Sequence, residues 1–173
     1  MTEPHALRNQ LAAFDRKSPS VLTEAAATYG SGETYFGMLA DLSADEDDAV
    51  SSGATWLIKH HAENGEALAP DQCVTLANHL DRITAWDAQL HICQSARLLP
   101  YPDKVTDRLL TFARPLLAHR RPFLRAWSLD LLCHLAERDP GITAEAEKVL
   151  ALAEEDPAAS VRARARNLRK ARR

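Results

Sequence analysis

Pieces of helix length, rich in Ala and Leu, run along the whole chain, separated by short breaks of Pro, Gly and polar residues. The breaks are KSPS, YGSG, ENGEALAPD, LLPYPDK, HRRP, RDPG and EEDP. No piece alternates apolar and polar positions as a half-buried strand would. The pattern predicts helices near 4–16, 20–29, 33–42, 46–64, 71–82, 84–98, 103–118, 121–138, 142–154 and 157–171. Three starts carry suitable chemistry: Ser20 as the cap of the second helix, Asp71 as the cap of the fifth, and Pro157 in the first turn of the tenth. Ten helices with short connections imply an all-α chain of five antiparallel pairs.

A repeat runs through these helices. Four of them align when started at Val50, Trp86, Leu124 and Val161, offsets of 36, 38 and 37 residues. All four starts are large and apolar. Two residues on stand Ser52, Ala88, Ala126 and Ala163, all small, and seven on stand Leu57, Cys93, Leu131 and Leu168, all apolar. Five residues before the start come Asp45, Asp81, His119 and Asp156. A period near 37 residues with one helix pair per period predicts an α-solenoid, because a lone pair cannot bury its apolar stripe and must share a core with its neighbours. In the segment TAWDAQLHICQ, Thr84–Gln94, this register assigns Trp86, Ala88, Leu90 and Cys93 to packing and leaves Gln89, His91 and Gln94 unexplained.

The last units carry a resemblance. DPAASVRARARNL, Asp156–Leu168, resembles the second helix of a HEAT repeat, and FLRAWSLDLL, Phe123–Leu132, is similar without the leading Asp. The resemblance spans residues 33–173 as four units, with 1–32 as an N-terminal helical cap of the same single domain. It implies a right-handed stack of about four to five helix pairs with the second helices on the concave side. It also implies a scaffold that recognises macromolecules, and an Asp–Arg ladder between repeats that Asp156, Arg162 and Arg125 match. Asp87 and Ser51 stand at the Arg position of the other two units, so the ladder is expected to be incomplete.

Composition narrows the setting. With 173 residues, 46% hydrophobic and 26% charged, the chain can bury a core. No run of about 18 apolar residues is present, so no membrane span is expected. The start, MTEPHALRNQLAAFDRK, lacks a signal pattern, and Cys73, Cys93 and Cys133 are an odd set with no C-x-x-C spacing. Buried, reduced thiols of a cytoplasmic protein are the expectation. The net charge of −3 is divided unevenly: residues 1–100 carry 6 basic and 14 acidic side chains, residues 101–173 carry 15 basic and 10 acidic. The extremes are DEDD at 45–48 and the tail VRARARNLRKARR.

Candidate site residues follow from the repeat. Three, six and ten positions past each start lie Trp56 and His60, then Gln89, then Trp127, Asp130 and His134, then Arg164 and Asn167. Stacked units would gather them into one stripe, and Trp and Arg are the usual anchors of interfaces. The bland alternative is that the Trp rings fill gaps between repeats. On the basic tail, Arg162, Arg166, Arg169 and Arg173 fall on one helix side and, with Lys170, make a nucleic-acid surface the alternative. Trp127 and Asp130, with Arg125 and Arg164, also resemble the Trp/Asp arrangement of HEAT-like DNA alkylation-repair glycosylases, which implies a hold on a damaged nucleotide. Metal-ligand spacings, a nucleophile elbow and a phosphate loop are all missing, since adjacent His60 and His61 point about 100° apart and GSGE lacks a following Lys. The expectation is therefore a non-enzymatic module that binds a protein partner, with no cofactor, no metal and no small-molecule substrate.

Overall fold

The computed structural model describes residues 3–172. Among them the long elements are α-helices and there is no strand. The helices are α1 Glu3–Ala12, α2 Ser20–Tyr29, α3 Glu33–Leu42, α4 Asp48–Glu63, α5 Pro70–His79, α6 Trp86–Ser95, α7 Thr106–Leu116, α8 Pro122–Arg138, α9 Thr143–Glu154 and α10 Ala159–Ala171. Short 3-10 turns lie at Leu80–Arg82, Asp103–Val105 and Pro140–Ile142.

The helix ends show which local interactions win. Helix α1 stops short of the expected residue 16 because the Asp15 carboxylate accepts the amides of Lys17 and Ser18 at 2.9 and 2.8 Å, turning the chain. Ser20 does not cap α2; it is the first helical residue, and Pro19 precedes it without a side-chain acceptor. Asp71 does not cap α5 either. Pro70 opens that helix, where its missing N–H is harmless, and the Gln72 side chain accepts the Ala69 amide at 3.0 Å. Pro157 lies just before the cap residue Ala158 rather than inside α10. The acidic run resolves into separate tasks: Asp47 caps α4 by accepting from Ala49 at 2.8 Å, while Asp45 and Asp48 hold arginines.

The chain divides into two compact units, Met1–Val105 and Thr106–Arg173. Helices α1 and α2, the expected N-terminal cap, belong to the first unit, where both pack on α4. Helix α4 is the centre of this unit and is also covered by α3 and α6, while α5 packs on α3. Its middle, Ser51-Ser52-Gly53-Ala54-Thr55, is buried on every side. Small residues allow neighbouring helices to approach closely, and each buried hydroxyl finds an acceptor: Ser51 on the Ser43 carbonyl at 2.6 Å and Thr55 on the Ser51 carbonyl at 2.9 Å. In the second unit α8 has the central place, packed by α7, α9 and α10. It buries Leu124, Leu129, Leu131, Leu132 and Leu135, and α10 turns Val161, Ala165 and Leu168 inward at helical spacing. Cys73, Cys93 and Cys133 are all buried thiols.

Gly53 lies where α1 and α2 come close to α4. A Cβ there would stand 3.1 Å from Leu22 Cδ2 and 3.3 Å from Leu11 Cδ2. Gly53→Val should lower unfolding free energy by about 2 kcal/mol through overpacking, read as a lower urea midpoint. Gly53→Ala should lose less, since helix propensity returns about 1 kcal/mol.

Candidate functional site

In the first unit, the start of α6 is built around Asp87. Arg16, in the turn after α1, forks onto it with Nε–Oδ2 at 2.9 Å and Nη2–Oδ1 at 2.7 Å. Ser52 of α4 donates to Oδ1 at 2.6 Å, and the Ala88 amide reaches the same atom at 3.1 Å. Arg16 also binds Asp48 at 2.9 Å and adopts φ 60°, the left-handed region that bulky residues avoid. Burial pushes the Asp87 carboxyl up, but Arg16, Ser52 and the backbone outweigh it and hold it below the usual range. Asp87 therefore accepts an arginine, where its place at the ladder's Arg position led to an expectation of a gap. The inward pull on Asp87 also explains Trp86. Adjacent residues point about 100° apart, so Trp86 swings out to 37% exposure and Ala85 and Ala88 take the buried places beside it. Trp86 as a core start is thus corrected.

One turn further, His91 meets α4 through Nδ1 and the Thr55 hydroxyl at 3.2 Å. Burial pushes His91 down to about 4, against the opposing pull of Asp87. His91 is an interlock between α4 and α6, which accounts for one of the residues that the register left over. Gln89 is likewise used locally: its Nε2 donates to the Ile83 carbonyl at 3.0 Å, tying the preceding turn to α6. Trp56 and His60, both half-buried on α4, do come together, their rings stacked at 4.8 Å and 9°.

In the second unit, Trp127 of α8 and Arg164 of α10 meet directly, with the guanidinium carbon 3.7 Å from the ring centroid. Asp130 is only 4% exposed and belongs to the interior, while Phe123, one turn before Trp127, is 62% exposed. His134 faces Glu137 at 3.6 Å. Arg125 forks onto Asp156 with both contacts at 2.9 Å and also donates to the His119 carbonyl at 2.8 Å. The Asp156 carboxyl is held below its usual range chiefly by that arginine. Arg162 donates to the carbonyls of Asp156 and Pro157 at 2.6 and 2.9 Å, so it closes the turn and does not reach the carboxylate.

The basic tail is internally paired over much of its length. Arg169 binds Glu147 and, at 3.2 Å, Glu154, and Arg172 binds Glu147 at 2.9 Å. Arg166 and Lys170 are exposed and meet no carboxylate among the described residues. Arg173 lies outside the described residues. No group of three or more His, Cys, Asp or Glu side chains poised for a metal occurs among the described residues, and no helix is long and apolar enough to cross a membrane. No family model, curated protein or solved structure matches the chain.

The Asp87 node carried no sequence signal beyond an acidic residue in a first helical turn. Its arginine lies 71 residues away, in a backbone conformation that Gly or Asn would normally mark. Asp87→Ala should cost about 3 kcal/mol, the lower end for breaking a buried pair, because Arg16 keeps some access to water. His91 sets a pH dependence. Its folded pKa, near 4, lies below the ordinary 6.5, so the unfolded chain takes up the proton first. The stabilisation is complete above about 6.5 and is lost as pH falls towards 4, on the order of 3 kcal/mol in all. Urea midpoints measured across this range should slope for the wild type and flatten in His91→Gln.

Proposed function

We propose that the chain is a non-enzymatic interaction module of HEAT-like helix pairs that binds a protein partner. The observation that carries this reading is the Arg164 guanidinium laid over the half-buried Trp127 ring, 3.7 Å from its centroid, between two successive second helices. Trp and Arg held in place at low entropy cost are the side chains on which protein interfaces most often centre. The exposed Phe123 ring extends the same side of α8. The first unit adds the stacked Trp56 and His60. Helix packing within each unit supports the repeat: α3 lies on α5, α4 on α6 and α8 on α10, each helix against its counterpart in the next pair. The buried thiols suit a reducing, cytoplasmic setting.

Nucleic-acid binding is the second reading, favoured by the exposed Arg166 and Lys170, four residues apart on α10 and without a carboxylate partner among the described residues. The glycosylase version of it has less support, because Asp130 is interior and Arg125 is committed to Asp156.

The two readings separate by mutation. A partner captured from native extract should be lost by Trp127→Ala and kept by the Arg166→Glu, Lys170→Glu double variant. Anisotropy of labelled duplex DNA and single-stranded RNA should show no salt-sensitive binding. Retained capture in Trp127→Ala, or nucleic-acid affinity that falls linearly in log salt and vanishes in the double variant, would reverse the choice.

A further inference from the structure

A cluster of rings in the first unit is untouched by the function above. Tyr29 of α2 stacks on Tyr35 of α3 at 5.7 Å and 6°. His61, near the end of α4, stands edge-on to Tyr35 at 5.6 Å and to Phe36 at 5.3 Å. Tyr35 is 3% exposed and His61 6%. The hydroxyl of Tyr35 and Nε2 of His61 are buried, and neither meets a protein hydrogen-bond partner. Two such atoms on rings in contact are not explained by packing, because a buried polar group without a partner forfeits its hydration for nothing.

The His61 ring is oriented from the other side. Its Nδ1 lies 2.9 Å from Glu66 Oε2. A carboxylate only accepts, so Nδ1 carries the hydrogen and Nε2 is the ring atom turned away from Glu66. The end of α4 makes this possible. The Glu66 amide donates to the His61 carbonyl at 2.9 Å and the Gly65 amide to the Ala62 carbonyl at 3.1 Å, a Schellman motif with Gly65 at φ 84°. That motif folds Glu66 back over His61. The Glu66 carboxyl is held below its usual range by His61 first and by Ser31, in the turn between α2 and α3, second. Glu66 thus joins the two turns that lie beside the ring cluster.

We propose that Tyr35 and His61 form a closed site for one small hydroxyl-bearing guest, which hydrogen-bonds to both His61 Nε2 and the Tyr35 hydroxyl. Water and a small alcohol supply the same chemistry. A carboxylate or phosphate does not suit it, because the walls are aromatic.

Tyr35→Phe tests this, since it keeps the ring, its stacking on Tyr29 and the volume. With a guest in place, removing the hydroxyl should lower the folding equilibrium constant about tenfold in urea unfolding. An unchanged or raised constant would mean that the hydroxyl has no partner to lose, and would overturn the proposal. A high-resolution crystal structure of the wild type supplies the second readout. Density within hydrogen-bond reach of both atoms supports the site: a single isolated oxygen identifies water, and connected density, with a matching mass in the denatured protein, identifies an alcohol. Empty density, or a Tyr35 hydroxyl bonded directly to Nε2, overturns it even if Tyr35→Phe is destabilising.

Discussion

An arginine forked onto a carboxylate at the start of a helix organises both units. Arg8 holds Asp45 ahead of α4 at 2.7 and 2.9 Å, Arg16 holds Asp87 in α6, and Arg125 holds Asp156 ahead of α10. Each carboxylate also accepts a backbone amide nearby, from Asp47 at 2.9 Å, Ala88 at 3.1 Å and Ala158 at 2.8 Å. One side chain therefore satisfies a helix terminus and anchors that terminus to an earlier element. The bidentate geometry gives direction as well as attraction, so it specifies which helix start meets which arginine. Apolar packing alone would tolerate a slip along the helix axis; a fork of two short bonds does not.

The buried middle of α4 depends on this arrangement. A run of Ser, Gly, Ala and Thr buries little apolar area, so the middle of α4 adds less hydrophobic contact than its flanks, Val50, Leu57 and Ile58. Its small side chains instead let neighbours come close, and its hydroxyls join the polar layer. Ser52 reaches Asp87 and Thr55 reaches His91, both across to α6. That layer decides the exposure of everything around it. Asp87 turned inward puts Trp86 outward, and a neutral His91 makes the α4–α6 contact sensitive to acid.

How much of this was legible follows from the range of each interaction. Helices were readable because Ala/Leu-rich pieces and Pro/Gly breaks act within a few residues. The apolar position seven past each repeat start was readable too, since Leu57, Cys93, Leu131 and Leu168 are all buried. The Arg125–Asp156 pair followed from the HEAT resemblance, which places both residues in a known pattern. Arg8–Asp45 and Arg16–Asp87 lie outside that pattern, at separations of 37 and 71 residues, and no local rule marks Arg16 for a left-handed conformation. Trp86 failed for the same reason: an apolar residue at a core register position was overruled by a charge beside it. Of the proposed stripe, the structure brings together Trp56 with His60 and Trp127 with Arg164, while Gln89 bonds its own turn and Asp130 lies inside. The break at ENGE was visible, but Glu66 folding back onto His61 depends on the Schellman geometry, which a break by itself does not specify.

The tail shows why charge counted along a sequence differs from charge offered to a partner. Arg162 closes a turn, Arg164 lies on Trp127, and Arg169 and Arg172 converge on Glu147. Of the candidate phosphate contacts on α10, Arg166 and Lys170 meet no carboxylate among the described residues. Two phosphate contacts correspond to a log–log salt slope of about −1.8, far from the behaviour of a protein that tracks a duplex with ~6–10 contacts. Arg169 and Arg172 pair with Glu147 and Glu154 of α9, so part of the basic charge is neutralised within the second unit whether or not any polyanion is bound.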